Sequence, residues 1–177
     1  MKALFFSHQS AFLYGGETST ISLMAALKEL GAEVHVAAPP GPFLERAAGV
    51  ARAHEVPSVQ FSRDLGSVPG LLPAMAAVKR RLDAIVRKER IDVLHAMSLK
   101  AMGYASLASG APVVWHHHDF LPRGAVNDLW LRLFAARAAV VLVPSRAGKE
   151  ALCSAGVAGG KIRVLHNGLD ARNWKVR

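Results

Sequence analysis

A single cysteine, Cys153, is all the thiol in this 177-residue sequence. It excludes a disulfide within the chain and fits a reducing compartment, and its place inside a helical pattern reads as a buried small hydrophobe rather than a nucleophile. Acidic residues are scarce too, 13 against 22 Lys and Arg. Those near predicted strand ends are Glu17, Asp92 and Asp119, and Asp92 opens a strand, where it caps or pairs structurally. That leaves no basis for a hydrolase built on paired carboxylates. No apolar run approaches the ~20 residues of a membrane span. The start, "MKALFFSHQ", holds a four-residue apolar run, too short for the core of a signal peptide. These absences point to a cytoplasmic, soluble protein that touches a membrane, if at all, from one side. Also missing are the Gly-x-Gly-x-x-Gly fingerprint, the Gly-x-Ser-x-Gly elbow and a His-Glu-x-x-His helix. With no repeat, low-complexity tract or dividing linker, the chain reads as one domain, long enough to bury roughly 70% of its unfolded surface.

What is abundant is positive charge, +9 with a pI of about 10.3. Its distribution matters more than its total. From Leu71 to Arg90 the apolar residues Leu71, Met75, Val78, Leu82 and Ile85 recur at helical steps, and Lys79, Arg80, Arg81, Arg87 and Lys88 project from the other side. Such a face is first of all a solvated helix surface, then a contact for anionic lipid or an anionic acceptor. No aromatic-interleaved basic stretch or nucleic-acid motif is present, so nucleic acid is not expected as a partner.

Short Val, Ile and Leu runs alternate with helical patterns, the signature of an α/β fold with a doubly wound, mainly parallel, Rossmann-like sheet. The predicted strands are Ala3 to Ser7, Glu33 to Ala38, Val59 to Phe61, Asp92 to Ala96, Val113 to His117, Val140 to Pro144 and Ile162 to Leu165. Predicted helices run from Thr18 to Leu30 with Gly31 as stop, from Ser98 or Lys100 to Ala108, from Asn127 to Ala136, and from Arg146 to Ala155 between a Ser145 cap and Gly156. Pro39 to Pro42 and Asp64 to Gly70 read as loops.

In such sheets ligands bind outside the carboxyl ends of the strands. That rule selects His8 to Glu17, His95 to Ser98, His116 to Phe120 and Ser145 to Lys149. Gly15 and Gly16 precede a helix start, where exposed backbone N–H groups attract phosphate or carboxylate. The stretch "PVVWHHHDF" sets His116, His117 and His118 against Asp119. Three readings are open: a metal site, an acid/base cluster, or one useful imidazole with two bystanders. Alternation along a strand puts His116 and His118 on one side and His117 on the other. His116 and His117 read as structural histidines, while His118 is the last residue before the chain turns into the crevice.

Five segments, "YGGETSTISLMAALKELGAEVHVAAP", "RIDVLHAMS", "PVVWHHHDF", "AAVVLVPSRAGKEAL" and "KIRVLHNGLD", occur in the order and at the spacing of the N-terminal domain of the retaining glycosyltransferases of family 4. The sequence resembles that family along essentially the whole chain. The resemblance implies the N-terminal, acceptor-side half of a two-domain GT-B fold and transfer of a sugar from a nucleotide-sugar donor to a glycan or lipid-linked acceptor. It implies no metal and no other cofactor.

Carried over by position, the family's glycine loop falls on Gly15 and Gly16, bordering acceptor and donor phosphate with Glu17. Its active-site histidine falls on His118, followed by Asp119. His95 and Ser145 match recurrent residues after the fourth and sixth strands, and Arg146 and Lys149 are candidate anion contacts or plain helix-surface charge. The family commonly has an aspartate where Ala139 stands, and continues beyond "NGLDARNW" into a nucleotide-sugar domain. The expectation is therefore a lone acceptor-side domain, 1–177, inactive or nearly so without its second half, with peripheral contact to an anionic membrane as an added partner. The competing readings are a self-contained nucleotide- or cofactor-binding domain, a membrane-docking module without catalysis, and a metal hydrolase using His116, His118 and Asp119.

Overall fold

The computed structural model describes residues 1–11, 15–58, 68–119 and 121–168, with the side chains of 68–72 left out. In chain order the elements are β1 (Lys2–Phe6), α1 (Gly16–Glu29), β2 (Glu33–Ala38), α2 (Pro42–Ala47), β3 (Arg52–Glu55), α3 (Val68–Glu89), β4 (Val93–Ala96), α4 (Leu99–Ala105), β5 (Val113–His116), α5 (Ala125–Arg137), β6 (Val140–Val143), α6 (Arg146–Ser154), a short 3-10 turn (Gly159–Lys161) and β7 (Ile162–Val164).

The seven strands form one sheet in the order β3-β2-β1-β4-β5-β6-β7, and every pairing is parallel. Parallel strands need crossovers, and right-handed crossovers fix which face each helix takes. The chain winds outward from β1 to β3, then returns to β4 beside β1 and winds the other way. Consequently α1 and α2 cover one face, where Met24, Phe43, Leu44 and Ala47 pack on Ala3, Phe5, Val34 and Val36. Helices α3 to α6 cover the other, where Leu82, Ile85, Met102, Leu131 and Leu152 pack on Leu4, Phe6, Leu94, Trp115 and Val141. Neighbours along each strand serve opposite layers, which is why the strands read as continuous apolar runs.

Local chemistry sets the ends. Gly31 (φ 85°) and Gly156 (φ 89°) take the left-handed conformation that stops α1 and α6. Ser98 Oγ accepts from the Ala101 N–H at 3.1 Å and Ser145 Oγ from the Gly148 N–H at 3.1 Å, capping α4 and α6. Asp92 accepts from the backbone N–H of Lys2 at 2.7 Å, joining the starts of β4 and β1.

One strand was not expected, and three expectations require correction. The third strand is Arg52–Glu55, a polar segment that periodicity passed over because it lies at the sheet edge; the expected strand at Val59 to Phe61 lies outside the described residues. Pro42 opens a helix rather than closing a loop, since its fixed φ and missing N–H suit a first turn. Of the expected loop from Asp64 to Gly70, positions 68–70 begin α3 and the rest lie outside the described residues. Cys153 is exposed rather than buried, because it falls on the outer side of α6 while Leu152 faces the core.

Leu82 is wholly enclosed between α3 and the sheet. Leu82→Ala is expected to lower unfolding free energy in urea by about 2–5 kcal/mol through lost burial and a cavity, whereas Arg80→Ala on the exposed side should stay within about 0.5 kcal/mol.

Candidate functional site at the strand ends

The reversal of winding between β1 and β4 opens a crevice at their carboxyl ends, the place where open parallel sheets bind ligands. From β1 comes His8, whose Nδ1 lies 3.1 Å from Ser98 Oγ at the start of α4. This contact spans the crevice floor. Burial, then the nearby Lys100 charge, lowers the His8 pKa to about 4, with Asp119 opposing.

The expected alternation of the three histidines holds. His116 and His118 lie on the α1 side, ring centroids 3.9 Å apart. His117 faces the other layer and packs edge-on against Trp115 at 4.8 Å. Beneath His116 sits His95, its Nε2 3.3 Å from His116 Nδ1 and its ring stacked on Phe5 at 4.4 Å. Three imidazoles thus form a column running from the sheet interior to the crevice. Burial drives the lower two far down, His95 to about 3 and His116 to about 2, so both are neutral and one N–H is shared between them.

At the top of the column, His118 is half-buried and lies against the first turn of α1. A Cβ on Gly16 would sit 3.9 Å from His118 Cγ. His118 Nε2 is enclosed yet has no hydrogen-bond partner among the described residues. Buried ring nitrogens are ordinarily satisfied; His116 Nε2 and His117 Nδ1 share this condition, and His118 is set apart from them by its place against the first turn of α1. Burial lowers its pKa, with Asp119 opposing, and the ring is neutral near pH 7.

The glycine pair does two things. Gly15 takes φ 92° and its carbonyl accepts from the Ser19 N–H at 3.0 Å. Ser19 is thus the first residue whose N–H is held within the helix, and the N–H groups before it lie at the positive end of a 14-residue helix. Glu17 lies in that first turn, and partial burial raises its carboxyl above the ordinary range.

The remaining candidates divide. Asp119 is a brace: its Oδ2 accepts from the Leu99 N–H at 2.7 Å, pinning the end of β5 to the start of α4. His117 Nδ1 stands 4.0 Å from the same carboxylate. Ser145 is committed to its cap, and it lines a small recess of about 50 Å³ shared with His117, His118 and Asp119. His95 is 6% exposed, so it supports the column and does not line the crevice as expected. Arg146 is exposed and Lys149 half-exposed on the first turns of α6, beside that recess but not lining it. The contact between His8 and Ser98 escaped the candidate set. Only the strand-end rule pointed to it, since 90 residues separate the pair. Among the described residues no group of three or more His, Cys, Asp or Glu is arranged to hold a metal ion.

Because His8, His95, His116, His117 and His118 all titrate below the unfolded value of 6.5, unfolding takes up protons in acid. Their neutral forms contribute stability in full above pH 6.5, and it is lost as pH falls toward the folded values. The urea midpoint is therefore expected to drop steeply from about pH 7 to about pH 5. Asp119→Asn should steepen the loss and move the His118 titration, read by NMR, further down, since the carboxylate opposes the shift.

No curated protein sequence matches the chain. Solved structures do. An Anabaena HepE crystal structure in complex with UDP and glucose is 23% identical with a TM-score of 0.71, covering 97% of this chain and 46% of the other. A glycosyltransferase from Rickettsia africae is 18% identical with a TM-score of 0.74, over 98% and 46%. The lipopolysaccharide outer core galactosyltransferase WaaB is 15% identical with a TM-score of 0.70, over 98% and 47%. The chain spans less than half the length of each, and the shared fold is the Rossmann-like N-terminal half of GT-B glycosyltransferases. The sequence model for Glycosyltransferase Family 4 matches residues 14–173, and the chain belongs to that family.

Proposed function

We propose that this chain forms the acceptor-side wall of a retaining glycosyltransferase that moves a sugar from a nucleotide-sugar donor to an acceptor without a metal ion. The observation that carries the reading is the enclosed, unpartnered Nε2 of a neutral His118 set against the glycine-led start of α1. A neutral imidazole can exchange a hydrogen bond with a sugar hydroxyl beside the reacting carbon without adding a fixed charge. The α1 N–H groups supply positive potential where the phosphate leaves. His118 is preorganised by the histidine column beneath it, and Asp119, the residue after it, by its bond to Leu99. Support from outside the chain comes from HepE, whose structures include complexes with UDP and with UDP-glucose.

A second domain would close over these strand ends and hold most of the nucleotide, so catalysis needs both walls to align the reactants. The chain by itself is expected to show no micromolar binding of UDP-sugars in calorimetry; tight binding would instead favour a self-contained nucleotide-binding domain. In the full enzyme containing this chain, His118→Ala should lower kcat about 100-fold or more, the scale of removing one preorganised polar group. His117→Ala, on the opposite layer, should act mainly on stability. Equal kcat losses in the two variants would remove the role given to His118.

A further inference from the structure

The β3 edge of the sheet holds a second histidine cluster, which sugar transfer does not use. His35 in β2 is wholly enclosed, and both of its ring nitrogens are engaged. Nε2 lies 3.0 Å from Glu33 Oε1, and Nδ1 lies 2.9 Å from His54 Nε2 in β3. The two rings stack, 12° from parallel. An ionised carboxylate only accepts, so His35 Nε2 carries a proton. With no proton added to the pair, His35 Nδ1 accepts from the Nε2–H of His54. With one added, the contact persists in either sense, because one of the two facing nitrogens still keeps its lone pair. With two added, two N–H groups point at each other and the contact turns repulsive.

The surrounding charges come from β1, β2, β3 and α3. Lys2 of β1 pairs with Glu33 of β2 at 2.8 Å, and Arg52 of β3 pairs with Glu89 of α3 at 2.9 Å. Arg81 of α3 donates from Nε to the Glu55 carbonyl at 2.9 Å. Burial, then the His35 ring, lowers the His54 pKa; Glu89 opposes this, and Arg52 and Arg81 add to it. The strand that His54 ties down is lightly held. β3 pairs with β2 alone, and none of Arg52, Ala53, His54 and Glu55 is buried. Beyond the backbone ladder its side-chain ties include the histidine contact, the Arg52 ion pair and the Arg81 bond. Of these, only the histidine contact changes with a proton near neutral pH, since guanidinium groups stay charged.

We infer that His35 and His54 form a proton-counting latch on the edge strand, which holds β3 to β2 with one added proton or none and releases it when both rings are charged. The arginine ties persist in acid, so release loosens the edge without unfolding the sheet. Its direction follows from linkage. His54 titrates below the unfolded value of 6.5, so its contribution is complete above pH 6.5 and is lost as pH falls through the folded value.

The test is amide hydrogen exchange of the chain by NMR from pH 7 to pH 5, corrected for intrinsic rates. It compares Val56, whose N–H donates to the Ala38 carbonyl at 3.1 Å just after β3, with Leu94 in β4, whose N–H donates to the Pro112 carbonyl at 3.0 Å. The crevice histidines weaken the whole fold in acid, so the ratio of the two protections isolates the edge. Val56 is expected to lose protection relative to Leu94 by up to about tenfold per pH unit, the limit for an opening that takes up one proton. In His54→Gln the ratio should stay flat, because a side-chain amide can bond to His35 Nδ1 in either sense yet takes up no proton. His54 is only partly buried, so the variant should keep the circular dichroism spectrum. Ring 15N spectra of the wild type follow the two protonation steps directly, and Val56 protection should hold through the first and fall in the second. A flat ratio in the wild type, an equal fall in His54→Gln, or loss of Val56 protection during the first step would each overturn the latch. None of these measurements uses a sugar donor, so their failure leaves the transferase reading intact.

Discussion

The structure depends on one topological constraint: β1 and β4 are hydrogen-bonded neighbours whose connections leave in opposite directions. Right-handed crossovers then send α1 to one face and α4 to the other. Nothing in the sheet can cover the strand ends between them. The crevice is thus a consequence of winding, and the residues that follow β1, β4 and β5 are delivered to it together. Gly16, His8, Ser98 and His118 come from three separate segments of the sequence and meet there for that reason.

Placement alone would leave the site loose. It is tightened by pairs of polar groups that each settle a backbone end. Asp119 occupies an N–H at the start of α4, and Ser98 both caps that helix and meets His8. Beneath them, His95 and His116 share one N–H in a setting that keeps both neutral. A charged imidazole there would have to be desolvated. The column therefore raises His118 on an uncharged support, at the cost of stability in acid.

Much of this was legible in order. The alternating Val, Ile and Leu runs marked six of the seven strands, Gly31 and Gly156 marked helix stops, and the serine cap fell at Ser145 as its residue type implied, while Ser98, expected as a possible first helical residue, is also a cap. Illegible segments share a cause. Arg52–Glu55 is a strand only because β2 offers it an edge, and Pro42–Ala47 is a helix only because Phe43 and Leu44 find the α1 layer. Neither pairing leaves a local periodicity.

For the site, the amino-acid sequence by itself determined which residues stand at strand ends and which way they point, since alternation along a strand is a covalent regularity. That was enough to separate His117 from His116 and His118. The tertiary structure alone decided their company: His95 under His116, Gly16 against His118, and Asp119 bonded to Leu99. Contacts between residues 20 or more positions apart depend on how the sheet is wound, and winding is a property of the whole chain rather than of any segment in it.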